Sequence, residues 1–112
     1  ICAKDNSGPY NREFVNKLIR CAQQEALDYA VDIYYSYSSD ASVAIRTGYD
    51  VRHALIGPGV YASHGYERTH LDGIYNTFAL LKAYVELYFF IQKENGARAF
   101  RPAFRFFFRI VR

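Results

Sequence analysis

Between Ile56 and His70, fifteen residues gather two histidines, a carboxylate and an arginine: Ile56-Gly57-Pro58-Gly59-Val60-Tyr61-Ala62-Ser63-His64-Gly65-Tyr66-Glu67-Arg68-Thr69-His70. A neutral imidazole is a good zinc ligand, and Gly65 beside His64 lets the backbone come close to an ion or a substrate. The Arg68 guanidinium suits bidentate recognition of a substrate carboxylate, while a salt bridge to Asp72 at helical spacing is its alternative role. Tyr61 and Tyr66 either line a pocket or cover a sheet. Spacing alone does not define a metal site. His64 and His70 do not form the His-Glu-x-x-His helix motif, and one loop does not supply three ligands. Surface and capping histidines are the ordinary reading of such a loop, with His70 in a helix's first turn and His53 packed within a strand.

The elements that must position these groups read as alternating strands and helices. Ile1 to Lys4 is a short apolar run, followed by the turn chemistry of Asp5-Asn6-Ser7-Gly8-Pro9, whose proline suits a helix's first turn. From Tyr10 to about Gln24, Phe14, Leu18, Cys21 and Ala22 recur at spacings of three and four, which predicts a helix with one buried face. Ala30 to Tyr37, rich in Val, Ile and Tyr, predicts a second strand. Ser38-Ser39-Asp40 offers N-cap side chains to a short helix through about Arg46, with Gly48 to end it. Val51 to Ile56 predicts a third strand, closed by Gly57-Pro58-Gly59. That strand places the histidine loop at a strand's carboxyl end, where open α/β sheets bind ligands. Thr69 and Asp72 resemble a capping box, and Leu71, Ile74, Phe78, Leu81, Val85 and Tyr88 form the apolar stripe of a long helix ending near Gly96. The fold class is therefore α/β, with about three strands alternating with helices and a long C-terminal helix.

Composition narrows the function classes. The chain has 112 residues, room for at most one domain. It has no methionine, and Ile1-Cys2-Ala3 reads as a strand already in progress, so the expectation is a chain that begins mid-protein. No secretory leader or uninterrupted membrane-spanning apolar run is recognisable. Cys2 and Cys21 lack Cys-x-x-Cys spacing and suit buried apolar positions, which with the missing leader predicts a reduced, cytoplasmic protein. The net charge of +3 is unevenly spread: residues 98–112 carry five arginines and no acid, leaving residues 1–97 at about −2. Nothing before position 98 suggests a nucleic-acid surface. Residues 98–112 alternate Arg with Phe at helical spacing. They read as a basic aromatic tail that either contacts an anionic membrane or is not native to the domain of residues 1–97.

An ordered series of segments resembles a known family. Asp28-Tyr29-Ala30-Val31-Asp32, Ser39-Asp40-Ala41, Gly48-Tyr49-Asp50-Val51-Arg52, Gly57-Pro58-Gly59-Val60 and Ser63-His64-Gly65-Tyr66-Glu67-Arg68-Thr69-His70 look like the end of the catalytic domain of glutamyl or tetrahedral (cellulase-like) aminopeptidases. The similarity spans roughly residues 1 to 92. These are dinuclear zinc or cobalt exopeptidases with a three-layer zinc-peptidase-like domain. The resemblance implies that His64 is a terminal metal ligand. It places Asp40 in a segment near the cleft, although an N-cap is the other reading of that residue. Glu67 and Arg68 fall beside the ligand as substrate-binding candidates. Here, however, Gly65-Tyr66 replaces the family's Ser-Pro, and Glu67 lies three residues after the histidine rather than four.

By the same resemblance, two divalent ions, Zn or Co, would activate a water for attack on a peptide carbonyl, with a glutamate as base. The other ligands and that base lie before the region matching Ile1, so this chain would supply at most one ligand and no catalytic residue. Alone it is expected to be inactive, because a single loop histidine has no preorganised partners. The implied partners are a peptide substrate and, in the parent enzyme, further copies assembled through a separate domain. The rival reading is a non-catalytic α/β interaction protein that binds a membrane or partner through its tail.

Overall fold

A computed structural model of the chain describes residues 1–94, with side chains through residue 91. The expectations for residues 98–112 lie outside the described residues. Strand β1 (Cys2–Asp5) turns at Asn6-Ser7 into β2 (Gly8–Pro9), which pairs back on it antiparallel. Gly8 takes φ +130°, a conformation open to glycine at little steric cost. Pro9 thus closes a hairpin instead of opening a helix. The helix α1 (Arg12–Gln24) starts three residues later, capped by Asn11, whose side chain accepts the Phe14 N–H at 2.9 Å.

After α1 the chain returns to lay β3 (Asp32–Ile33) parallel to β1, giving a three-stranded sheet in the order β2-β1-β3. The helix α2 (Asp40–Arg46) is capped by Ser39, whose side chain accepts the Ser42 N–H, and Gly48 follows it at φ +92°. Asp40 is therefore the first helical residue, not the cap.

The predicted third strand does not form as one. Residues 51–56 touch the sheet by a single antiparallel bridge, Cys2 to Leu55, with the Cys2 N–H donating to the Leu55 carbonyl at 2.8 Å. The β2 hairpin already occupies that edge of β1 at Lys4 and Asp5, and the His53 carbonyl is taken by the Asn11 N–H. Little ladder remains for a full strand.

A two-stranded hairpin, β4 (Val60–Tyr61) against β5 (Arg68–Thr69), carries the histidine loop into the long helix α3 (Leu71–Glu94). The Thr69–Asp72 capping box is not made, because Thr69 sits in β5 and donates its hydroxyl to the Gly59 carbonyl at 2.7 Å. His70 takes the cap instead, its Nδ1 accepting the Asp72 N–H at 3.3 Å. Asp72 consequently lies against His70, Oδ2 to Nδ1 3.1 Å, and not against Arg68.

Helix α1 is the centre of the core. Leu18, Cys21 and Ala22 pack against Leu80 and Tyr84 of α3, while Val15 joins Cys2 and Tyr10 beneath the sheet. Ile1 and Ala54 pack against both groups. Both cysteines are buried and free. The α/β expectation is met, with a few short strands and three helices, the last of them long, among the described residues. One detail of α3 differs: its buried positions are Leu80 and Tyr84, whereas Leu71, Ile74 and Phe78 of the expected stripe are exposed. Apolar residues surround most of this helix, so periodicity alone does not select a face. The small side chains Cys21 and Ala22 on α1 do, by admitting Leu80 and Tyr84. No helix among the described residues is long and apolar enough to cross a membrane.

Candidate functional site

The loop between β4 and β5 is tight and strained. Ala62 and His64 both adopt left-handed backbone conformations, φ 55° and 66°, and the Gly65 N–H closes back onto the Ala62 carbonyl at 2.8 Å. A non-glycine residue in that region costs on the order of 1–2 kcal/mol, and such strain concentrates at functional sites. A Cβ at Gly65 would lie 3.3 Å from the Ala62 carbonyl oxygen, a tight contact that the loop would have to shift slightly to admit.

His64 is exposed, and its ring stacks on Tyr37 with centroids 5.4 Å apart and planes 4° from parallel. Tyr37 is held in turn by its carbonyl, which accepts the Asn6 N–H at 2.9 Å. The stack ties the histidine loop to the segment three residues before Asp40. A Tyr37→Leu variant is expected to lose about 1 kcal/mol of stability, the usual worth of an aromatic pair, and to release the His64 ring. NMR side-chain couplings of His64 should then change from one rotamer to an average, while Tyr37→Phe keeps one rotamer.

Ser63 and Glu67 flank His64, and each has a buried oxygen, Ser63 Oγ and Glu67 Oε1, without a hydrogen-bond partner. Buried polar atoms are usually paired, so these mark a place where a ligand group, water or ion would be welcome. Arg68 lies in β5 opposite Tyr61 and is exposed. Asp40 opens α2 from a half-buried position.

What holds that end of α2 is a polar cluster that sequence reasoning missed. Asp5 is 1% exposed. Its carboxylate accepts the Ser7 N–H and hydroxyl, the Tyr10 hydroxyl at 2.8 Å and the Ser42 hydroxyl at 2.6 Å. Tyr10 also shares a hydrogen bond with Ser39, the cap of α2. Burial alone would push the Asp5 carboxyl up, but the hydrogen bonds from Ser42, Ser7 and Tyr10 bring it down to about 2. The Tyr10 hydroxyl rises to about 12, chiefly through burial. His53 packs edge-on against the Tyr10 ring at 4.8 Å, and burial lowers its pKa. It is a packed residue, as expected, but outside a strand.

Between the approach to β3 and α3 lies a cleft of about 190 Å³, lined by Asp28, Asp32, Tyr34, Pro58, Asn76 and Thr77 among others. Ligand pockets commonly enclose roughly 300–1,000 Å³, so this cleft is not a peptide site by itself.

The residues present can be tested against a metal centre. His64 has the right chemistry and exposure for one ligand, and the unpartnered Glu67 oxygen lies three residues away in the chain. Among the described residues, however, no group of three or more His, Cys, Asp or Glu is placed to hold an ion. The described residues do not by themselves form a complete centre.

The sequence profile of the M42 glutamyl aminopeptidase family matches residues 1–80. The curated protein "Putative aminopeptidase YhfE" of Bacillus subtilis (strain 168) is 49% identical over 86 residues, covering 77% of this chain and 25% of that protein. These matches over most of the chain show the family of which the chain is a member. It belongs to the M42 glutamyl aminopeptidase family. The chain spans about a quarter of the length of the curated relative it matches.

Proposed function

We propose that this chain supplies the His64 loop to the metal centre of an aminopeptidase, which removes N-terminal residues from peptides, and that alone it is inactive. The observation that carries the reading is the position of His64. Within the family-matched stretch, this exposed imidazole sits on a strained loop and stacks on Tyr37, with unpartnered oxygens on Ser63 and Glu67, one and three residues away in the chain.

In the assembled enzyme, a pair of divalent ions, Zn or Co, would supply a water acidic enough to attack the peptide carbonyl. The chain's own residues do the rest of what falls to it. His64 would offer one imidazole nitrogen, and Tyr37 stacks on its ring. Asp40 and Arg68 are the substrate-contacting candidates, Arg68 through bidentate pairing with a carboxylate. Glu67 is a third substrate-contacting candidate, through a carboxylate oxygen that could accept a hydrogen bond. The lack of a three-donor group among the described residues supports the inactivity of the chain alone. The reading places the enzyme in the cytoplasm, where buried, unpaired cysteines stay reduced, and as a homo-oligomer built through parts outside this chain.

The test is a pair of assays. The purified chain should release no amino acids from peptides with zinc or cobalt. The same chain, grafted in place of the matching stretch of the Bacillus relative, should support metal-dependent release, and His64→Ala should reduce it at least a thousandfold. Metal-dependent hydrolysis by the chain alone, or an active His64→Ala graft, overturns the proposal.

A further inference from the structure

The two oxygens of the Asp5 carboxylate serve different parts of the fold. Oδ1 accepts the Ser7 N–H at 2.8 Å and the Ser7 hydroxyl, which closes a turn around Asn6. The Asn6 N–H, placed by that turn, donates to the Tyr37 carbonyl at 2.9 Å. Oδ2 accepts the Tyr10 hydroxyl at 2.8 Å and the Ser42 hydroxyl at 2.6 Å, and the Tyr10 hydroxyl also lies 3.0 Å from that of Ser39. Tyr37 and the start of α2 are thus fastened, on either side of Ser38, to one buried carboxylate. An ionised carboxylate suits this task because it accepts without donating, and its charge strengthens each bond. A turn and a helix cap can each be satisfied by neutral groups. Sharing one acceptor is what couples them.

The segment so fastened has little regular structure of its own. From Tyr34 to Ser38 the chain is in neither strand nor helix. The Tyr37 ring meets the Tyr34 ring edge-on, centroids 6.4 Å apart, and the His64 ring face to face at 5.4 Å. The hydrogen bonds described inside the histidine loop, Gly65 N–H to Ala62 carbonyl and Glu67 N–H to Gly65 carbonyl, close on the loop itself. They set the shape of the loop, and the stack on Tyr37 sets the direction of the His64 ring.

We infer that Asp5 is a positioning residue for the candidate site. Through Asn6 and Tyr37 it directs the His64 ring, and through Ser42 and Tyr10 it holds the start of α2, where Asp40 lies, in the same frame. Groups behind a site residue must hold it to about 0.5 Å for its chemistry to work, and a shared buried charge is a stiff way to do so. That His64 serves a metal centre rests on the proposed function; the direction of its ring does not.

The experiment measures, by NMR on the full chain, the NOEs between the Tyr37 and His64 rings and the side-chain couplings of His64. The parent chain should show ring-to-ring NOEs and one His64 rotamer. Asp5→Asn, shown folded by circular dichroism, should lose those NOEs and average the couplings. Leu80→Ala, destabilised through the α1–α3 contact and measured where it is folded, should keep both. NOEs that persist in Asp5→Asn overturn the inference, as does their absence from the parent chain. Their equal loss in Leu80→Ala also overturns it, because destabilisation of any kind would then move the ring. If Asp5→Asn does not fold, Ser42→Ala, which frees α2 from Oδ2 while keeping the turn, is read by the same criteria. A ring released by Asp5→Asn together with an active His64→Ala graft upholds the positioning and sinks the proposed function. An unmoved ring with an inactive graft does the reverse.

Discussion

Replacing Asp5 with alanine is expected to remove about 3–5 kcal/mol of stability, a large share of the roughly 5–15 kcal/mol that a domain possesses. The carboxylate is the common acceptor for Ser7, Tyr10 and Ser42, and the Tyr10 and Ser42 side chains are themselves buried. Truncation would leave their hydroxyls in an interior without water, and each unmet donor costs on the order of 1–3 kcal/mol. Asp5→Asn should cost less but not nothing, since its amide presents hydrogens toward groups that also donate. Urea unfolding followed by circular dichroism would give both values, and an Asp5→Ala midpoint within error of the parent chain would refute the role assigned to the cluster.

The same carboxylate sets an acid limit. Its folded pKa of about 2 lies below the ordinary value of 3.8, so its contribution is fully present above pH 4–5 and fades as pH falls toward 2. The loss is on the order of 2 kcal/mol, and Asp5→Asn should abolish that part of the acid dependence. Tyr10 works in the opposite direction. Raised from 10.0 to about 12, it favours the fold below pH 10, and that contribution disappears as pH rises through 12.

Leu80→Ala should be the next most damaging change, at about 2–4 kcal/mol. Leu80 is 5% exposed and, with Tyr84, is the buried contact by which α3 grips Leu18, Cys21 and Ala22 of α1. Phe78→Ala, two residues away and larger in volume removed, should cost the chain less than about 0.5 kcal/mol, because Phe78 is 64% exposed. Paired urea titrations would distinguish the two faces. A costlier Phe78→Ala would mean that the apolar stripe read from periodicity is the packed one.

That contrast marks where sequence reasoning holds and where it stops. Helices α1, α2 and α3 were legible because their signals are local: an i, i+3, i+4 rhythm in α1, Ser39 as cap, Gly48 as terminator. The choice of face on α3 was not, since it depends on small side chains at Cys21 and Ala22, far away in the chain. Asp5 read as a turn residue, which it is, but its partner Ser42 lies 37 positions on and carries no local signature. The stretch from Val51 to Ile56 has strand composition yet finds β1 already occupied at Lys4 and Asp5. Of the site, His64 came from the ordered resemblance and not from its own spacing. Tyr37 was hidden within a run of tyrosines that reads equally well as strand.

The packing of α1 against α3 also has a consequence in time. During synthesis, Ala22 and Cys21 leave the ribosome roughly 60 residues before Leu80 and Tyr84, which at about 5–20 residues per second is an interval of several seconds. For that interval the apolar face of α1 has no helix to meet it and is open to chaperones or to neighbouring nascent chains. Slowing translation between residues 25 and 80 would lengthen this window, and shifting aggregation yields with codon choice in that stretch would reveal it.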